Sequence, residues 1–121
     1  MGTDWPPEIP GYVTLTTQAV RESDEYPCFP ALRALLRERG VNLATSLVPH
    51  FLDEGSGDFY GVVVTAERRV LEFWLSESDG QWALTRWVDR TDDPANAADH
   101  DIRYALWRIS QGAYETPPRS N

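Results

Sequence analysis

Apolar residues recur at every second position in four stretches of the chain, residues 43–52, 59–65, 70–75 and 82–89, the spacing of half-buried β-strands. Turn chemistry separates them. A glycine-rich loop covers residues 53–58, a short connection covers 66–69, and Glu77-Ser78-Asp79-Gly80 carries the Asp-Gly pair of a tight hairpin. Connections this short join antiparallel neighbours, which predicts a meander. Pro49 cannot donate to a ladder, so the first of these strands is expected to be bent, bulged or at an edge.

Before the strands the period changes. Between residues 29 and 40, Leu32, Leu35 and Leu36 share a helical face, Pro30 suits a first turn and Gly40 a C-terminal cap. After the strands, Asp93 and Pro94 open a predicted helix of about four or five turns that sets Ala95, Ala98, Ile102, Ala105, Leu106 and Ile109 on one side. Asp99 and Arg103 are spaced to support its exposed face. Residues 12–18 alternate and are rich in Thr and Val, so they read as an edge strand, with a helix beginning near residue 16 as the alternative. The reading is an α+β fold: a three- to five-stranded antiparallel meander with two helices packed on one face, in the order strand, helix, four strands, helix. Residues 1–11 are expected to form an extended proline-rich arm, 12–116 a single domain and 117–121 a frayed tail.

Composition narrows the function classes. All eleven basic residues are arginines, so chemistry that depends on a lysine side chain is excluded. The same bias fits a GC-rich bacterial genome. A net charge of −8 repels phosphates and anionic headgroups, which disfavours nucleic-acid and membrane partners. No segment approaches the run of about 20 apolar residues that spans a bilayer. Residues 1–10 place Asp4, Trp5, Pro6 and Pro7 where a secretion signal would place basic and then apolar residues, so a cytoplasmic protein is expected. Cys28 is the only cysteine, which precludes an intramolecular disulfide and leaves a cysteine metal site without partners.

The search for a catalytic motif yields none of the serine-elbow, phosphate-loop, dinucleotide or zinc-protease patterns, and no cofactor or metal is called for. Gly55-Ser56-Gly57 belongs to a hairpin loop. Cys28 with His50 or His100 would make a thiolate-imidazole pair only if folding joined them, and a cysteine at the entrance to an apolar helix is more often core. Glu72, between Leu71 and Phe73, faces either solvent or a cleft. Arg33, Arg37 and Arg39 fit the last turns of a helix, where they complement its dipole.

The meander adds a spatial inference, because alternate turns of a meander lie at the same end. Asp53, Glu54 and Asp58 should therefore stand beside Glu77 and Asp79 as an acidic rim. Trp74 alternates away from Leu71, Phe73 and Leu75, while Tyr104 and Trp107 lie off the apolar stripe of the last helix, so all three are expected outside the core. These features suggest a non-enzymatic protein-binding module, of inhibitor or immunity type, that captures a basic partner on the rim and the exposed aromatics. The alternative is a small-ligand-binding protein or enzyme with a pocket between sheet and helices lined by Cys28, His50 and Glu72. A homodimer through the aromatic sheet face is a further alternative.

Overall fold

In a computed structural model that describes residues 11–112, two helices precede the strands and one follows them. They are α1 (Gly11–Glu22), α2 (Cys28–Glu38), β1 (Leu47–Gly55), β2 (Asp58–Val64), β3 (Val70–Ser78), β4 (Gln81–Asp89) and α3 (His100–Ser110), with 3-10 turns at Leu43–Thr45 and Pro94–Ala98. The strands form one antiparallel sheet in the order β1-β2-β3-β4, the meander that the short connections predict. Both hairpin turns have positive φ at their two central residues, Ser56 and Gly57 in one and Asp79 and Gly80 in the other, which matches the right-handed twist of the flanking strands. Pro49 sits where the register of edge strand β1 shifts between Leu47 and His50. A bulge on an edge tolerates the missing N–H.

Three expectations are corrected. Residues 12–18 are helical and not a strand: Val13, Thr17 and Val20 are all fully buried at helical spacing. The Thr17 hydroxyl accepts the Val48 N–H at 2.9 Å, so α1 lies along β1 and satisfies part of its outer edge. β4 has no strand on its outer side among the described residues.

The helices do not share one face. Val20, Leu32 and Leu36 of α1 and α2 pack with Val48, Val63, Leu71, Phe73 and Leu75, whereas Ile102, Ala105 and Ile109 of α3 pack with Leu47, Val62, Val64 and Val70 on the other side. β2 is buried on both faces. The third correction concerns the closing helix, which is broken at Asp99, whose backbone is extended at φ −94° and ψ 109°. Asp93 caps the short 3-10 turn that begins at Pro94, and Asp99 caps α3 proper. Asp99 thus stands outside the helix as its cap, with its carboxylate on His50.

Gly61 completes the frame. On the α2 side of the sheet Phe51, Gly61, Phe73 and Trp87 form one row across all four strands. The absent side chain of Gly61 leaves the space that the Phe73 ring occupies. Residues 1–10 of the expected arm and the tail lie outside the described residues, while Gly11, assigned to the arm, opens α1.

Candidate functional site

The row next to this one ends in chemistry. Asp53, Phe59, Leu75 and Leu84 follow one another across the sheet, and Trp82 opposite Glu77 comes next, all on the α2 side. From the helix layer Tyr26, Pro27, Cys28 and Phe29 close over these positions. The result is a cleft of about 570 Å³ lined by those four residues with Phe51, Asp53, Gly57, Phe59 and Trp82. Its rings form a continuous series. Centroids are separated by 6.2 Å for Tyr26–Phe29, 5.7 Å for Phe29–Phe51, 5.2 Å for the parallel Phe51–Phe59 pair and 6.0 Å for Phe59–Trp82. Tyr26 is 57% exposed, so the series reaches solvent.

The two loops of the expected acidic rim do meet here. The Glu77 N–H donates to the Gly57 carbonyl at 2.9 Å, which ties the β3–β4 hairpin to the β1–β2 turn. Asp53 accepts from the Gly55 N–H and Glu77 from the Gly80 N–H, each through its side chain, so these carboxylates also shape their own turns. Glu54 and Asp79 are exposed at the same end, and Asp58 is half-buried opposite Ser76. An apolar floor beside carboxylates gives an attractive field for a cation that also brings apolar surface.

The expected aromatics lie away from this rim, Trp74 on the sheet face opposite Phe73 as its alternation predicts. Trp74 is half-buried on the opposite face, edge-on to Tyr60 at 5.5 Å. Tyr104 is 1% exposed, contrary to the expectation that it projects from the core, and half-buried Trp107 stacks on it at 6.2 Å. The helical stripe of α3 is broader than its aliphatic residues, because Asp101, Tyr104 and Arg108 are buried with them. None of these three rings reaches the rim. The rings that do, Tyr26, Phe29, Phe51, Phe59 and Trp82, were missed. Phe51, Phe59 and Trp82 stand on the same strand face as Phe73, near hairpin turns, and that register was the available signal.

The alternative pocket residues are not brought together. Cys28 lies in the helix layer on the cleft side, while His50 and Glu72 flank Val62 in one row on the other face. Burial pushes the Cys28 thiol up; a backbone hydrogen bond opposes this and the negative Asp53 adds to it, the reverse of what a thiolate nucleophile needs. Glu72 is engaged on both oxygens. Its Oε2 accepts from the Tyr60 hydroxyl at 2.7 Å and from Arg90 at 3.3 Å, and its Oε1 lies 3.6 Å from Arg86. Asn96 holds the same Arg90 from the 3-10 turn, accepting from its Nε at 3.0 Å. His50 meets Asp99, whose carboxyl is raised by burial but carried below its ordinary value by the Ile102 N–H, by hydrogen bonding and charge from His50, and by the Asp101 N–H. The arginines at the helix ends also bind the chain itself. Arg33 donates to the carbonyls of Val20 and Ser23 and pairs with Asp24, and Arg39 stacks over Trp87 at 5.1 Å.

Tyr60 provides a test of the Glu72 network. Burial, then the hydrogen bond to Glu72 and its negative charge, push the phenol from 10.0 up to about 12, against the opposing effect of Arg90. Folding raises this value, so the stability it contributes is complete below the unfolded pKa and is lost as pH rises through the folded one. Tyrosinate absorbance should therefore show a step near 12 that Tyr60→Phe removes. The variant should also lose less stability than wild type as the pH climbs past 10. An unchanged titration in the variant would show that Tyr60 is not the retarded phenol.

Among the described residues no helix is long and apolar enough to cross a membrane. The chain matches no protein-family model, and comparisons with curated proteins and with solved structures find no match.

Proposed function

We propose that this protein is a non-enzymatic binding module, of inhibitor or immunity type, that captures a basic segment of a partner protein in the aromatic cleft. The observation that carries this reading is the coincidence of rim and cleft. Asp53 is a wall residue of the cleft, and the hydrogen bond between Glu77 and Gly57 holds the second acidic turn against it. The carboxylates raise the association rate and discriminate against acidic partners, and the rings supply the apolar and cation–π contacts that hold the docked segment. A small cationic ligand in the same cleft is the second reading, favoured by its volume, which is in the range of small-molecule sites.

Calorimetry with arginine-bearing peptides at low and high salt tests the proposal. Wild type should bind them in preference to acidic peptides and lose affinity as salt rises. The triple variant D53N/E54Q/E77Q should bind roughly tenfold or more weakly with a flatter salt dependence. Trp82→Ala should weaken binding at both salt concentrations. Equal affinities for wild type and the neutralised variant would overturn the reading. Binding of a free small cation but of no peptide would select the second.

A further inference from the structure

A separate convergence of side chains lies on the α3 side of the sheet. His50, just past the β1 bulge, places Nε2 at 2.9 Å from Oδ2 and 3.1 Å from Oδ1 of Asp99. Asp99 stands in the break before α3, where its Oδ1 accepts the N–H groups of Asp101 and Ile102, both at 3.0 Å. Two residues on, Asp101 is 8% exposed. One donor atom from each of His50, Asp99 and Asp101 lies within 4.8 Å of the other two. Helix capping accounts for one carboxylate. It does not call for an imidazole delivered from β1.

We propose that His50, Asp99 and Asp101 bind a divalent transition-metal ion of the zinc type. An imidazole with two carboxylates suits Zn²⁺ and its neighbours Co²⁺ and Ni²⁺, whereas Mg²⁺ and Ca²⁺ prefer all-oxygen sets. Three protein ligands leave a fourth tetrahedral position for water. Bonds of roughly 2.0–2.2 Å are within reach of donors this close after small side-chain torsions. Asp99 divides its labour: Oδ1 stays on the helix amides while Oδ2 turns from the imidazole to the ion, and any proton on the ligating nitrogen of His50 is released to solvent as the ion binds. A helix N-terminus carries about half a positive charge, which two carboxylates outweigh. The His50 and Asp99 side chains are 20% and 29% exposed, so an ion can enter and is then largely sheltered from solvent. Bound there, it would clamp edge strand β1 to the start of α3. The site is independent of the aromatic cleft, which opens on the other face.

The test uses the full chain without an affinity tag, stripped with a chelator and titrated with Zn²⁺ by calorimetry and with Co²⁺ by visible absorbance. The expected result is one ion per chain, a Co²⁺ spectrum of low coordination number, a raised melting temperature and no comparable binding of Mg²⁺. His50→Gln and Asp101→Asn should each weaken binding by at least about tenfold, since loss even of outer-shell partners costs that much. His100→Gln, which changes the other histidine, should bind as wild type does. H50Q leaves the Asp99 cap in place and so decides the matter if D101N fails to fold. Absence of stoichiometric Zn²⁺ or Co²⁺ binding by wild type, unchanged affinity in H50Q, or equal affinity for Mg²⁺ would overturn the proposal.

Discussion

Phe73→Ala is expected to lower the unfolding free energy by about 3–5 kcal/mol, read as a shift of the urea midpoint at constant slope. The ring is fully buried at the centre of the larger core cluster, between the sheet and the first two helices. Its centroid lies 6.4 Å from that of Phe51, across Gly61 in the row, and 6.3 Å from that of Trp87, its neighbour on β4. Removing it opens a cavity that Gly61, having no side chain, cannot help to fill. The loss should extend to the cleft, because Phe51 also carries the stacked pair with Phe59. A cost below about 1.5 kcal/mol, the range of volume-conserving changes, would show that the ring is not the wedge of this core.

Gly61→Ala should carry the second-largest cost, from the opposite cause. A methyl group added there would stand 2.3 Å from Cζ, 2.7 Å from Cε1 and 2.9 Å from Cε2 of Phe73. Neither partner can retreat: Gly61 is held in central strand β2 and the ring in a packed core. Overpacking of this kind costs about 1–3 kcal/mol and at times more. A double-mutant cycle gives the sharper readout. Once Phe73 is alanine the added methyl has room, so G61A/F73A should be less destabilised than the sum of the single variants. Coupling energies of contacting residues run from about 0.5 to 3 kcal/mol, and a strictly additive cycle would show that the two positions do not share this space.

Much of the sheet was legible because turns announce themselves. Asp79-Gly80 marks a hairpin in any context, and the alternation of Leu71, Phe73 and Leu75 fixes which side of β3 faces α2. α1 was not legible for a specific reason. Its buried stripe of Val13, Thr17 and Val20 has a hydroxyl in the middle, and only the tertiary structure shows that β1 consumes it. Thr-rich alternation is equally good strand sequence. The placement of α3 had a signal that went unread, since three consecutive valines, Val62 to Val64, suit a strand buried on both faces. The hairpin order also put the acidic turns at one end correctly. The aromatic partners of that rim were harder to read, because Phe29 and Tyr26 reach it from a helix layer whose orientation is set by packing and not by any local pattern.

The two margins of the sheet differ in a way that bears on self-association. One margin is partly occupied by a helix whose Thr17 hydroxyl accepts a backbone N–H from it, whereas among the described residues the β4 margin has no strand beside it and is open to backbone pairing with another chain. Two copies joined there would turn the borders that α1 partly covers outward, which makes further strand addition less favourable than the first pairing.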